Sequence, residues 1–221
     1  MAIFDVYRNR RAVLDFDPTK HNLIPRSAME LLLWQAWKCT PGKNNFMPYN
    51  VFAIGPNRQD YKNLIFQNCL ANEGKSSNLD VTAKYAVPGT LQPFFGNIKT
   101  CTWLLMFTFR LEDKLNPYHK NAIARGQKFE YATREGMYKS SASIAIEVGM
   151  FCDLIGGLCV EQGWDVSQVL CFNRSLSTWV DLPFVKDVPL LLMPVGIGLN
   201  YKPTTSANRR PNFPRIVKFV E

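Results

Sequence analysis

The residues best equipped for chemistry lie between Cys39 and Gly55, reading Cys-Thr-Pro-Gly-Lys-Asn-Asn-Phe-Met-Pro-Tyr-Asn-Val-Phe-Ala-Ile-Gly. A polar turn of this kind presents backbone N–H groups, the amides of Asn44 and Asn45 and the ammonium of Lys43, with little bulk in the way. That set suits an oxygen-rich, anionic ligand. Two arginine groups stand near the ends of the chain, Arg8/Arg10/Arg11 and Arg209/Arg210/Arg215. Guanidinium forks pair well with phosphate. Arg10 and Arg11 also suit the end of a short helix, where positive charge stabilises the dipole.

Groups for acid–base or nucleophilic work are few. The chain has no Gly-x-Ser-x-Gly, no His-Glu-x-x-His and no Walker-type phosphate loop. Gly196-Ile197-Gly198 follows an apolar run, but Leu-Asn-Tyr-Lys-Pro comes next and cannot open the helix that a dinucleotide fingerprint needs. His21 and His119 lie in polar, loop-like surroundings and are expected at the surface. The six cysteines (Cys39, Cys69, Cys101, Cys152, Cys159, Cys171) are scattered without Cys-x-x-Cys spacing. They read as buried free thiols suited to a reducing cytoplasm, and no metal site is expected. Phosphate-binding residues combined with so few acids and bases point to a cofactor that carries the chemistry.

The elements that must position these residues are legible from periodicity. Residues 2–10 read as a short helix and 13–16 as an extended piece. A helix then begins at Pro25-Arg26-Ser27, with Met29, Leu32, Leu33 and Ala36 on one face. Residues 49–54 form an apolar strand stopped by Gly55-Pro56, and 57–72 a helix with Tyr61, Leu64, Ile65 and Cys69 on one face. Residues 73–96 make a long Gly/Ser/Asn/Pro-rich excursion. The run at 100–109 is apolar throughout, as befits a central strand covered on both faces. Residues 132–162 read as one long helix ending at Gly163. Its small residues suit a homodimer interface and a crowded core alike. Strands follow at 169–172 and 189–195, then a polar, proline-punctuated tail with a strand-like end at 215–220.

With 221 residues, 47% of them hydrophobic and 20% charged, one globular domain over 1–221 is expected. The pattern is α+β, a mixed sheet of four to five strands flanked by helices. The net charge of +8 favours anionic partners. No basic stripe with interleaved aromatics accompanies it, so nucleic acid is not an expected partner. The N-terminus carries Asp5 and lacks a long apolar core, so it does not read as a signal peptide. The apolar stretch 144–160 is interrupted by Glu147 and Asp153 and reads as a buried helix, not a membrane span.

The chain resembles the nitroreductase family of flavoproteins along its length. Asn9-Arg10-Arg11-Ala12-Val13-Leu14-Asp15-Phe16 is similar to the family's Arg-Arg-Ser-x-Arg-x-Phe segment. Pro41-Gly42-Lys43-Asn44-Asn45-Phe46-Met47-Pro48-Tyr49 resembles its Pro-Ser-x-x-Asn-x-Gln-Pro-Trp loop, matching at Pro41, Asn45 and Pro48. Gln162-Gly163-Trp164 stands where the family's helix ends in Gly-Leu. The strand closing at Gly196 resembles its late strand and glycine, and Arg209-Arg210-Pro211 its C-terminal Arg-x-Pro.

The resemblance implies a mostly antiparallel, dimeric nitroreductase-like fold with a C-terminal extension, and FMN bound at the homodimer interface. Arg10 and Arg209 would hold the FMN phosphate, with Arg11, Arg210 and Ala12 beside them. Asn45 would hydrogen-bond the flavin ring from the partner, and Pro41, Gly42 and Lys43 would line it. The same resemblance adds Leu170 and Cys171 to the cofactor-binding set. The implied enzyme is a cytoplasmic FMN oxidoreductase that takes hydride from NADH or NADPH and passes it to a small electron-poor acceptor, such as a nitroaromatic or quinone. It needs no catalytic side chain of its own. Ala12 replaces a usual Ser, Leu14 a basic residue and Met47 a Gln. These departures motivate the alternative of a redox-impaired flavin-storage module.

Overall fold

Every residue of the apolar run from Trp103 to Phe109 is buried. The strand it forms, β3 (Trp103–Phe109), is the axis of the molecule. The computed structural model describes residues 13–42, 46–73, 96–110, 115, 117–129, 131, 133–170, 172–173 and 175–201. Within them β3 pairs antiparallel with β2 (Tyr49–Ile54) on one side and β5 (Pro189–Gly196) on the other, and the short β4 (Asp165–Val166) closes the far edge. A separate antiparallel ladder joins β1 (Val13–Phe16) to β6 (Gly198–Tyr201), with Val13 opposite Tyr201 and Phe16 opposite Gly198. The expected mixed sheet is therefore an antiparallel four-stranded sheet with a two-stranded ladder beside it.

Side chains alternate along β3 and split the core into two halves. Trp103, Leu105, Phe107 and Phe109 point to one face, where they meet α1 (Arg26–Cys39) and α6 (Ser141–Glu161) through Met29, Leu32, Ala36, Ile144, Val148, Phe151, Cys152 and Ile155. Leu104 and Met106 point to the other face, toward α2 (Gln59–Glu73), α3 (Gly96–Thr100) and β1, through Ile65, Phe66, Cys69, Ile98, Val13 and Phe16. The period of two in the strand and of 3.6 in the helices accounts for both layers.

Several elements depart from the sequence expectation. The long helix is two, α5 (Arg134–Lys139) and α6, broken at Ser140, whose φ of −96° and ψ of 14° cap both. Apolar periodicity runs across this break because Met137 and Ile144 bury on the same side. Gly163 ends the second helix with a φ of +74°, as its residue type suggests. A further helix, α4 (Pro117–Ala124), lies in a stretch that gives little periodic signal, since only His119 and Ala122 are buried in it. The strand expected at 169–172 is a single bridge from Val169 to Leu192. In α2 the buried face includes Lys62 and Phe66, while Leu64 is partly exposed. The strand β6 occupies the start of what reads as a polar tail.

The helix α6 is long and apolar enough to cross a membrane by length and composition. One side of it is core, yet Ile146 (65% exposed) and Met150 (40%) face outward, so it is not buried all round as expected. The helix at 2–10, the excursion over 74–95 and the strand at 215–220 lie outside the described residues.

Candidate functional site

Of the candidate ligand residues, Pro41, Gly42 and Leu170 lie among the described residues. Arg10, Arg11 and Ala12 lie outside the described residues, immediately before Val13, and so do Arg209 and Arg210, beyond Tyr201. The ladder pairs Val13 with Tyr201, so the segment entering β1 and the segment leaving β6 start side by side. Both strands are tied down by side chains. Thr100 donates to the Asp15 carboxylate and accepts from the Phe16 N–H (3.1 Å), and Asn97 donates to the Val13 carbonyl (3.3 Å). On the other strand the Asp165 carboxylate accepts from the Gly198 N–H (2.9 Å) and the Tyr201 hydroxyl (3.1 Å). A Cβ on Gly196 would lie 2.6 Å from Phe16 Cδ1, so glycine is what lets β1 approach β5 closely here. Leu14, in β1, is half-buried.

The loop after α1 is fixed at its two shoulders, with Lys43 and Asn45 in the 43–45 tripeptide outside the described residues. The Thr40 backbone N–H and hydroxyl both donate to the Ala36 carbonyl (2.9 and 2.7 Å), which closes the helix before the exposed Pro41. At Gly42 a Cβ would stand 3.3 Å from the Glu147 carboxylate of α6. The returning arm, Phe46 to Pro48, is held by Arg110 just after β3. Its Nε donates to the Met47 carbonyl (2.9 Å), a terminal nitrogen donates to the Phe46 carbonyl, and its backbone N–H donates to the Pro48 carbonyl (3.0 Å). Met47 has a φ of +48°, left-handed for a residue with a long side chain. Arg110, Phe46, Met47, Trp37, Tyr49 and Phe151 border a cavity of about 480 Å³.

Phe46 belongs to an aromatic cluster. His119 of α4 stands edge-on to it at 4.8 Å and stacks on Phe129 at 4.3 Å, while Tyr131 stacks on Phe46 at 5.7 Å. His119 is only 1% exposed, which corrects its expected place at the surface. Burial, and then the charge of Arg110, hold its pKa below the ordinary value. Burial, followed by the charge of Glu147, raises that of Tyr49. Among the described cysteines, Cys69, Cys101, Cys152 and Cys159 are buried, while Cys39 is exposed against expectation. Burial pushes Cys101 up to about 11 and Cys152 to about 12, which keeps both as unreactive thiols. No cluster of metal-ligating residues occurs among the described residues.

Leu170 follows the Val169 bridge and is 56% exposed, and Cys171 lies outside the described residues. Val169 packs with Val13 and Phe16 under one face of the main sheet, whereas Phe46, Met47 and Tyr49 pack under the other. The returning arm of the loop and the β1·β6 ladder thus pack under opposite faces of the main sheet. Arg110, which holds the returning arm, and Glu147, which stands beside Gly42, were not singled out as site residues from the sequence. Their only signals are a charged residue closing an apolar strand and another interrupting an apolar helix.

No protein-family description matches the sequence, and no curated protein does. Solved structures match along its whole length. A nitroreductase-like protein from Streptococcus mutans is 17% identical with a TM-score of 0.67, over 99% of this chain and 97% of that one. A proposed NAD(P)H:FMN oxidoreductase from Staphylococcus epidermidis is 16% identical with a TM-score of 0.65, over 99% and 95%. A proposed nitroreductase from Exiguobacterium sibiricum, in complex with FMN, is 16% identical with a TM-score of 0.64, over 100% and 98%. At such identities a likeness speaks for architecture, and with the antiparallel sheet, its flanking helices and the β1·β6 ladder it establishes that this chain has the nitroreductase fold.

Proposed function

We propose that the protein is an FMN-dependent oxidoreductase that takes reducing equivalents from NADH or NADPH and delivers them to a small electron-poor acceptor such as a nitroaromatic or quinone. The observation that carries this reading is the pairing of Val13 with Tyr201, which starts the two arginine-bearing segments from neighbouring points of one ladder. The guanidinium groups those segments carry, Arg10, Arg11, Arg209 and Arg210, are of the chemistry that pairs with a dianionic phosphate. FMN, when bound, supplies the hydride and electron chemistry, which agrees with the scarcity of acid–base groups in the chain.

The remaining roles belong to the chain's own residues. Arg10 and Arg209 hold the phosphate, with Arg11, Arg210 and Ala12 alongside. Leu170 offers apolar surface for the ring to lie against, next to Cys171. Asn45 presents its amide to the polar edge of the ring, and Pro41, Gly42 and Lys43 shape the wall through which it approaches. The returning arm of that loop and the β1·β6 ladder pack under opposite sheet faces, which supports a reading in which the loop completing each site belongs to a second copy of the chain. An exposed apolar surface supports such a homodimer: Ile146 and Met150 on α6, and Leu31, Trp34 and Trp37 on the helix packed against it. Gly149 lies within this surface with open space around it.

A flavin-storage module is the second reading, favoured by Ala12, Leu14 and Met47, which stand where the resemblance leads one to expect a Ser, a basic residue and a Gln. The deciding experiment is an absorbance spectrum of the purified protein followed by anaerobic titration with NADH and NADPH. Flavin bands that bleach on titration, with turnover on adding an acceptor, are expected. A colourless protein that takes up no added FMN would overturn both readings, and bound flavin without turnover would leave the storage module.

A further inference from the structure

We infer that Arg110 is the positioning residue of the returning arm of the loop between α1 and β2, holding the backbone of residues 46–48 beside the cavity that Phe46 and Met47 line, and that FMN affinity depends on that hold. The inference uses the FMN reading only for the identity of the ligand.

The two shoulders of the loop are built differently. The outgoing shoulder inherits order from α1, because Thr40 bonds back to Ala36. The returning shoulder has no regular element before Tyr49, where β2 begins. Arg110 supplies what is missing there. One residue satisfies three successive carbonyls, those of Phe46, Met47 and Pro48, two with its guanidinium and one with its backbone N–H. Its guanidinium also lies over the Phe46 ring, 4.4 Å from the centroid. The donor is placed from outside the loop: Arg110 follows directly on Phe109, whose pairing with Tyr49 fixes the end of β3. The loop is thereby referenced to the most buried strand of the molecule.

This accounts for the strained conformation of Met47. A methionine at a φ of +48° is held there by its surroundings, and a guanidinium bonded to its carbonyl and to the preceding one does so. The planar fork matters. A lysine in this position keeps the charge but cannot hold two adjacent carbonyls and stack on the ring together. Phe46, clamped beneath the guanidinium, also touches His119, Phe129 and Tyr131, so Arg110 couples the loop to α4 as well.

The test is hydrogen–deuterium exchange on the full-length protein without FMN, for wild type, Arg110→Ala and Arg110→Lys, together with FMN titration by flavin fluorescence. Removing two charge-assisted bonds from a loop is expected to raise amide exchange over 42–48 by roughly tenfold or more, with β3 and β5 unchanged, and Arg110→Lys falling between. The FMN dissociation constant is expected to rise by about tenfold in Arg110→Ala, partly restored in Arg110→Lys. Loop exchange equal to wild type in Arg110→Ala, or a rise spread over every strand, overturns the inference. So does a loosened loop with unchanged FMN affinity. If Arg110→Ala does not fold, Arg110→Lys decides, and wild-type loop protection in that variant overturns the argument from the fork. If the wild type takes up no FMN, the cofactor reading fails, while the exchange result still decides the role of Arg110.

Discussion

His119 and Lys62 are the buried basic side chains of the described residues with displaced titration, and each makes a prediction. His119 is held below its ordinary pKa of 6.5 by burial and then by Arg110. The unfolded chain therefore takes up a proton on this ring at a higher pH than the folded one. Between those two values the unfolded state binds more protons, so stability rises with pH. The contribution is complete above about 6.5 and declines on acidification toward the folded value. The melting temperature is expected to fall between about pH 7 and about pH 5, and His119→Phe, which keeps the aromatic packing, should flatten that fall. An equally steep fall in the variant would show that other groups govern it. Lys62 is 0% exposed and donates to the carbonyls of Cys101 (2.7 Å) and Thr102 (3.0 Å). Lys62→Ala leaves both carbonyls buried and a cavity beside them, at a cost of about 3 kcal/mol in urea denaturation. A loss under about 1 kcal/mol would mean that the carbonyls find other donors.

The β1·β6 ladder is short and makes little core of its own, so its placement depends on close approaches. Phe16 sits on the backbone of Gly196, where a Cβ would stand 2.6 Å away. Backbone and a buried ring leave little room to relax, and Gly196→Ala is expected to destabilise by about 2 kcal/mol. Because the displaced strand, β1, follows directly on the Arg10 segment, FMN affinity should fall in the same variant. Chemical denaturation and flavin titration check the two effects separately, and unchanged stability would refute the close approach.

The assembly makes the largest-scale prediction. As an isolated chain, the protein would leave Gly149 solvent-exposed in mid-helix with nothing within 4 Å. Gly149→Ala should then stabilise it by up to about 1 kcal/mol through helix propensity. If the α6 face is covered by a second copy at close range, the same substitution destabilises instead. Ile146→Glu places a charge in that face and is expected to shift the protein from dimer to monomer in light scattering, with a parallel loss of FMN affinity. A wild type that is monomeric and binds FMN would contradict the proposed composite site.

What the chain order made readable were the features that repeat locally: the all-buried β3, the amphipathic face of α1, the glycine that ends α6, and the polar loop between α1 and β2. Each follows from residue periodicity or from one residue's backbone preference, and needs no knowledge of distant neighbours. Features made by long-range pairing could not be read this way. β6 looks like tail because its partner lies at the other end of the chain, and His119 looks like surface because the Phe46 and Phe129 rings that cover it are remote or locally ambiguous. Arg110 gives no sign in sequence of the three carbonyls it holds. The assignment of Phe46, Met47 and Tyr49 to one sheet face and of Val13 and Phe16 to the other likewise came from the alternation of β3 within a folded sheet. Local propensity is a property of a few adjacent residues, whereas burial and charge pairing depend on which distant residues the chain brings beside them.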